Sequence, residues 1–489
     1  VLPDINANVS QQPISSPDWE PCVPDPAPFL FRSLTRPGED PDITLVNLNL
    51  MQVNHGHSID RQVYLPLGLL YIAGSLERES YNVEFTDYQL FTEAHKFDAQ
   101  VFVECLDDPA PIVGISCMSN LLPFSIHLAR TLKSAYPDRT LVLGGVGPSP
   151  VAREIAEAFP FVDSVVEGEG EISILDIMNG ISHRHLPSNV PPDLDALPLP
   201  AYSLVDFGFY DAAPSIITSR GCPYKCTFCT EPYNFGGHGI RFRDIESVLR
   251  EIEMIHQCSG RSMFLFQDDI LPLKPSRFRR LTSGLRKLSF DIEWKCFGRV
   301  DLMTEEVMKE MDESGCVQVR YGIESGSNKT LERIQKGFTI EQAFDVAVTS
   351  LEYFPSVHVS FIWGYPFEEI PEFEETLSWV TRFEEAGITV LLFEFSPLPG
   401  SPLYQEHRER LVFSRDHYPS YVITGHEEVR MGRYQTDSTL DPVYQLIVDH
   451  PDIFSGFYQY ESTAELAKRQ RLEQYKQTGR TAIKNEYDL

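Results

Sequence analysis

The chain has 489 residues, 42% of them hydrophobic and 23% charged, which is enough for two or three domains with their own cores and too balanced for wholesale disorder. Its formal net charge of −30 argues against non-specific binding to nucleic acid or to anionic membrane, both of which need a basic surface. No run of 18 apolar residues is present, so no membrane span is expected, and Val1–Pro41 lacks the basic and apolar regions of a secretion signal.

Nine cysteines are present, three of them tightly clustered. The other six (Cys22, Cys105, Cys117, Cys258, Cys296, Cys316) are scattered, unlike a disulfide framework. That usage fits a reducing cytoplasm and one metal site.

Residues 1–41, rich in Pro, Asp and Ser, read as an irregular arm. From Asp42 strands and helices alternate. ITLVNLNL, VEFTD, IVGISCM, TLVLGGV and VDSVVEG are short apolar runs of strand length. Between the first two lies LGLLYIAGSLERE, a helix with Leu69, Leu70, Ile72, Ala73 and Leu76 on one face. Pro123–Tyr136 and Pro150–Phe159 also read as helices. Such alternation implies parallel strands with right-handed crossovers. Residues 42–185 are therefore expected to form a Rossmann-like, flavodoxin-like doubly wound domain. Ligands of such domains bind at the carboxyl ends of the strands, here Ser116–Asn120, Gly144–Pro148 and Glu167–Gly170.

Residues 186–210 begin with LPSNVPPDLDALPLP and read as a stiff linker. A second alternation follows over 211–404. Its strands are SIITS, SMFLFQD, EWKCFGRV, VQVRYGIE, VHVSFIWG and VLLFEFS, with helices starting near Ile245, Ser276, Thr304, Ile340 and Glu372. Six β/α units suggest a partial TIM-like barrel with its chemistry at the carboxyl-end mouth. Residues 405–489 lose the alternation and read as a small helical cap over that mouth. Its aromatics (Tyr418, Tyr421, Tyr434, Tyr444, Phe454, Phe457, Tyr458, Tyr460) read as the core of the cap, with a substrate groove as the alternative.

Directly after the first barrel strand comes Arg220-Gly-Cys-Pro-Tyr-Lys-Cys-Thr-Phe-Cys229. A [4Fe–4S] cube normally takes four thiolates. Cys222, Cys226 and Cys229 on one short loop reach three irons and leave the fourth open. Zinc is the alternative, but it favours four ligands in paired knuckles. No second pair is near, and His238 stands alone nine residues on.

This loop resembles that of the radical S-adenosylmethionine (SAM) superfamily, and the barrel adds matching pieces. Gly322-Ile-Glu-Ser-Gly326, Phe361-Ile-Trp-Gly-Tyr-Pro366 and Pro397-Leu-Pro-Gly-Ser-Pro-Leu-Tyr404 are similar to segments after its fourth, fifth and sixth strands. The resemblance implies that SAM's amine and carboxylate chelate the open iron. It places Phe228 against the adenine and Arg299, Glu324 and Ser360 at SAM's other groups. Gln267, Asp268 and Asp269 stand where many relatives carry a Gly-Gly-Glu segment for the methionine amine. Read alone, Glu324 is a strand-end carboxylate paired with Lys or Arg.

The front domain resembles the cobalamin-binding domain of class B radical SAM enzymes. The similarity rests on Leu65-Pro-Leu-Gly-Leu-Leu-Tyr71, Val113-Gly-Ile-Ser-Cys-Met118, Leu143-Gly-Gly-Val146 and Val165-Val-Glu-Gly-Glu-Gly-Glu171. With the barrel, the resemblance covers about Asp42 to Tyr404. It implies cobalamin contacts at Ser116, Met118, Gly144, Gly145, Gly168 and Glu169. Small residues there let a flat corrin approach the backbone. A nucleotide is the alternative ligand, but no G-x-G-x-x-G follows the first strand. The Asp-x-His-x-x-Gly loop of methionine-synthase-like domains is missing. His55 and His57 follow the first strand without the Asp spacing, so base-off cobalamin with no His ligand is expected.

The implied function is methylation of an unactivated carbon by way of a 5′-deoxyadenosyl radical and methylcobalamin, in the manner of a C-methyltransferase. Its partners would be a flavodoxin- or ferredoxin-type electron donor and a substrate that is a peptide, a protein or a small metabolite. Tyr233, Tyr321 and Tyr365 are candidate substrate-side residues, with packing as the plainer role. A radical cyclase, rearrangement or C–C coupling enzyme would share every motif. A non-catalytic cobalamin or redox sensor is the rival of another class.

Overall fold

The structure is a computed structural model that describes residues 28–49, 53–54, 59–60, 63–92, 96–181, 183–231, 239–413, 440–460 and 463–477. Cys22, His55, His57, Tyr233, His238, Tyr418, Tyr421 and Tyr434 lie outside the described residues.

The first sheet has seven strands: β1 (Phe31–Leu34), β2 (Ile43–Leu48), β3 (Val83–Asp87), β4 (Ile112–Cys117), β5 (Thr140–Gly144), β6 (Ser164–Val166) and β7 (His185–Leu186). Their order is β1-β3-β2-β4-β5-β6-β7. The five expected strands, β2 to β6, thus run in the flavodoxin-like order 2-1-3-4-5, all parallel. Helices on both faces bury β2 and β3 completely, so their polar residues Thr44, Asn47, Glu84, Thr86 and Asp87 are buried along with the apolar ones.

The arm is not wholly irregular. Its Phe31–Leu34 segment adds an antiparallel edge strand to β3. The cause is Glu84, a carboxylate buried in β3. Arg32 pairs with one of its oxygens, and the Thr44 hydroxyl donates to the other at 2.7 Å. Asn82 also accepts from the Arg36 backbone N–H at 2.9 Å.

Nor is 186–210 a spacer. Leu186 ends a strand parallel to β6, and the Ala201 N–H donates to the Leu70 carbonyl at 2.9 Å. Leu194 is buried, and Ala201, Leu204, Val205 and Tyr210 pack into the core beside helix Leu67–Arg78. Tyr210 donates its hydroxyl to the buried Asp87 at 2.9 Å. On that helix Leu69, Leu70, Ala73 and Leu76 are buried as expected, together with Tyr71, while Ile72 is only half-buried.

The second sheet has six parallel strands in sequential order: β8 (Ser215–Ile216), β9 (Met263–Phe266), β10 (Glu293–Gly298), β11 (Cys316–Glu324), β12 (Ser356–Trp363) and β13 (Thr389–Glu394). The intervening helices begin at Ile245, Pro275, Glu305, Ile340 and Ile370. Asp244, Thr304 and Thr339 cap three of them by accepting from first-turn N–H groups. Tyr321 and Tyr365 belong to the core under this sheet, and Tyr321 bonds Ser350 at 2.8 Å, so both are packing residues.

The described residues after 405 divide between the two domains. Helix Asp441–Asp449 and the chain to Tyr458 bury Val443, Tyr444, Leu446, Ile447, Phe454 and Phe457 in the core of the first domain, against helix Leu122–Ala135. Helix Thr463–Gln477 instead packs on barrel helix Ile370–Glu385, where buried Lys468 pairs with buried Glu368 at 2.9 Å. Among the described residues no helix is long and apolar enough to cross a membrane.

Ile447→Ala removes a fully buried side chain from the first domain's core. It is expected to lower the unfolding free energy by about 2–5 kcal/mol in urea denaturation of the full chain. A loss under about 0.5 kcal/mol, typical of surface sites, would contradict this packing.

Candidate cluster loop and cofactor face

The loop that carries the three thiols leaves β8 through Thr218 and a two-residue strand, Ser219–Arg220, paired antiparallel with Arg241–Phe242. Gly221 has φ +96°, and a Cβ there would sit 2.7 Å from the Gly239 carbonyl oxygen, so only glycine fits. The barrel rim holds the loop further on: the Thr227 N–H donates to the Ile334 carbonyl at 3.2 Å, and the Leu403 N–H donates to the Thr227 carbonyl at 3.0 Å.

Cys226 is buried, while Cys222 and Cys229 are partly exposed. Burial, and then Asp269 and Cys226, raises the Cys222 pKa, and burial with the two neighbouring thiols pushes Cys229 up to about 12. Arg299 offsets this crowding. It lies 3.9 Å from the Cys226 sulfur, stacks on Tyr224 at 3.6 Å, and is steered by Asp301 at 2.9 Å. Among the described residues no group of three or more His, Cys, Asp or Glu could hold a single metal ion. A cube asks for a wider spacing, because each thiolate reaches a separate iron. The donor set fits that group.

Beyond the loop, the carboxyl ends of β9 to β12 bring the remaining barrel residues to one rim. Strand register sets Gly322 beside Ser360. Glu324 has φ +78°, a strained value for a residue with a side chain, of the kind that clusters at functional sites. Gly322 makes room for it, since a Cβ there would lie 2.3 Å from the Glu324 carboxylate. Glu324 pairs with Lys336 at 3.3 Å, and Lys336 also lies 5.7 Å from the Phe228 ring. Gln267 is exposed at the rim. Asp269 contacts Glu231, and burial with that neighbour raises the Glu231 pKa.

In the first domain the strand ends form a second face. Asn47, Ser116 and Gly144 stand side by side by register. Gly145 has φ +104°, and a Cβ there would meet the Cys117 carbonyl oxygen at 2.8 Å. Gly168 has φ +73°. Met118 and Val146 expose 36% and 53% of their surfaces beside these glycines. An apolar, side-chain-poor edge of this kind fits a flat macrocycle such as a corrin.

Comparison with known proteins matches residues 216–380 to the radical SAM superfamily and residues 61–177 to the B12 binding domain. An uncharacterized methyltransferase of Pyrococcus horikoshii is 29% identical over 406 residues, covering 78% of this chain and 83% of the relative. An anaerobic magnesium-protoporphyrin IX monomethyl ester cyclase of Rubrivivax gelatinosus is 24% identical, covering 72% and 68%. Among solved structures, the radical SAM methyltransferase TsrM of Kitasatospora setae, with cobalamin and a [4Fe–4S] cluster bound, shares the fold at TM-score 0.59 and 17% identity, covering 76% of this chain and 78% of that one. The chain thus joins a B12 binding domain to a radical SAM domain.

Two residues expected at the cofactors hold partners on the stem of the cluster loop. Asp268 is engaged by the loop stem. It is fully buried, and it accepts from the Thr218 N–H at 3.0 Å, the Thr218 hydroxyl at 2.8 Å and the Ser219 hydroxyl at 2.5 Å. It braces the stem of the cluster loop. Glu169 gives its carboxylate to Arg220 at 2.8 Å and to Arg241, both on that same stem. Arg241, Glu171, Lys336 and Tyr224 were missed by sequence reasoning. Glu171 carried a signal, since it directly follows the Glu167–Gly170 segment predicted to face a ligand, and Arg220 precedes the first thiol. Lys336 carried none, because it reaches Glu324 from a loop beyond the strand.

Asp268→Ala leaves three donors of the stem without their acceptor. It is expected to cost at least about 2 kcal/mol of stability. Gln267→Ala, at an exposed position, should stay within about 0.5 kcal/mol. Denaturation of the two variants side by side checks this, and equal stabilities would refute the bracing role.

Proposed function

We propose that this enzyme is a C-methyltransferase that places a methyl group on an unactivated carbon. The observation that carries the reading is the pairing of the two faces in one chain: a three-thiol loop with an open-iron spacing, joined through Glu169 and Arg220 to the apolar edge of a B12 binding domain. When bound, the cluster, SAM and cobalamin supply one-electron cleavage of SAM and a carrier for its methyl group. Everything else falls to the chain's own residues.

Cys222, Cys226 and Cys229 bind the cluster, and Arg299 balances the charge of the Cys226 thiolate. Gln267, Asp269, Arg299, Glu324 and Ser360 orient SAM at the rim, with Phe228 against its adenine. The Lys336–Glu324 pair sets the position of the Glu324 carboxylate. Ser116, Met118, Gly144, Gly145 and Gly168 cradle base-off cobalamin without a histidine ligand. The reading calls for a flavodoxin- or ferredoxin-type electron donor, a cytoplasmic setting, and a substrate that is a peptide or a small metabolite. The similarity to a ring-closing cyclase supports a second reading, in which the same cofactors serve bond formation within the substrate.

Anaerobic purification is expected to give about four iron and four sulfide per chain. Changing Cys222, Cys226 or Cys229 to Ala should abolish them, whereas Cys258→Ala, far along helix Ile245–Ser259, should not. A full cluster in the Cys226→Ala variant would defeat the ligand assignment.

Product analysis separates the two readings. Methylation consumes one SAM to recharge the carrier and another to make the radical. S-adenosylhomocysteine and 5′-deoxyadenosine should therefore appear in equal amounts with substrate. Conversion with deoxyadenosine but no homocysteine product would establish the cyclase reading instead.

A further inference from the structure

Arg220 stands immediately before Gly221 and Cys222, and its guanidinium forks between two carboxylates of the other domain. One nitrogen donates to Glu169 at 2.8 Å and the other to Glu171 at 2.7 Å. The same guanidinium lies over the Tyr71 ring at 5.0 Å. The second oxygen of Glu169 is taken by Arg241, which also donates to the Pro191 carbonyl at 2.7 Å. Arg241 is the register partner of Arg220 in the two-stranded stem of the cluster loop. Both arginines thus belong to the stem, while Glu169 lies in the turn after β6 and Glu171 opens the helix that follows it. All four side chains are at least four-fifths buried, with Glu169 7% and Glu171 4% exposed. A planar fork between fixed carboxylates sets direction as well as distance.

The same turn reaches the other face. The Gly168 N–H donates to the Ser149 hydroxyl at 3.0 Å, and that hydroxyl donates to the Gly145 carbonyl at 2.6 Å. Gly145 and Gly168 are the two glycines with positive φ at the edge assigned to the corrin. An unbroken path therefore runs from Gly145 through Ser149, Gly168, Glu169 and Arg220 to Cys222.

We propose that Glu169 is a positioning residue that couples the two cofactor sites, so that cobalamin seated against Gly145 and Gly168 favours the cluster-binding arrangement of Cys222, and the reverse. This rests on the cofactor reading given above. A corrin against the glycine edge fixes the turn that carries Glu169. The turn fixes the stem, and less freedom is then left for the cluster to remove. By linkage the effect is reciprocal: the cluster strengthens cobalamin binding by the same factor by which cobalamin strengthens the cluster. Simple adhesion between domains would lower stability when cut, yet leave each cofactor's affinity indifferent to the other.

The experiment is a hydroxocobalamin titration of the full chain, with and without its reconstituted cluster. In the unaltered protein the cluster is expected to tighten binding about tenfold, within the usual range of coupling between sites. Glu169→Gln should still take up both cofactors while that ratio falls to about one, and Glu169→Asp should recover part of it. Arg220→Lys, which keeps charge but loses the fork, should give an intermediate ratio and serves as the test should Glu169→Gln fail to fold. A tenfold ratio kept in Glu169→Gln and Arg220→Lys, or a ratio of one in the unaltered protein, overturns the coupling. A protein that binds no cobalamin with or without cluster overturns the cofactor reading instead.

Discussion

The structure depends on a seam of buried opposite charges between its two α/β domains. Glu169 and Glu171 come from the first domain, Arg220 and Arg241 from the second, and Arg243 continues the line: it pairs with Glu251, which accepts from the Tyr202 hydroxyl at 2.7 Å, and it donates to the Tyr71 hydroxyl at 3.1 Å. Ion pairs of this kind return little net stability, because taking each charge out of water costs about what the attraction gives back. They are demanding about geometry, since removing one partner strands the other and costs about 3–5 kcal/mol. The seam therefore specifies one relative placement of the domains. In a chain of net charge −30, setting arginines where the glutamates converge also removes a local repulsion.

That placement matters because each domain presents its chemistry at the carboxyl ends of its parallel strands. Two such domains can meet in many ways, and most would point their strand ends apart. Residues 186–210 restrict the choice by packing along helix Leu67–Arg78 instead of swinging free. The C-terminal region restricts it from the other side, with Ile447 and Phe454 in the first core and Leu472 against the barrel's outer helix. The chain is thus tied across its domains in three places, and the seam reaches the stem of the cluster loop directly.

Much of this was legible in the residues. Eleven strands of the two sheets announce themselves because parallel strands covered on both faces become short runs rich in apolar residues, as in Ile43–Leu48 and Ser356–Trp363. The cluster loop was legible because its spacing has one favoured chemistry. The elements that escaped share a cause: their structure comes from partners distant in sequence. Phe31–Leu34 is a strand because Arg32 meets the buried Glu84. The proline-rich stretch reads as stiff, but proline spacing does not tell that Tyr210 will seek Asp87. The periodicity of Asp441–Asp449 reveals an apolar face and not which domain it serves. Likewise the residue types of Asp268 and Glu169 show charge near a site, whereas their partners make them braces.

The central claim is that cobalamin held by the first domain stands in one fixed relation to the cluster on the second. Pulsed electron paramagnetic resonance on the full chain, with cob(II)alamin and the reduced cluster both present, measures that relation through their dipolar coupling. A single narrow distance distribution is predicted, because the buried seam allows one arrangement. No coupling, or a broad distribution as from independently moving domains, would contradict the account.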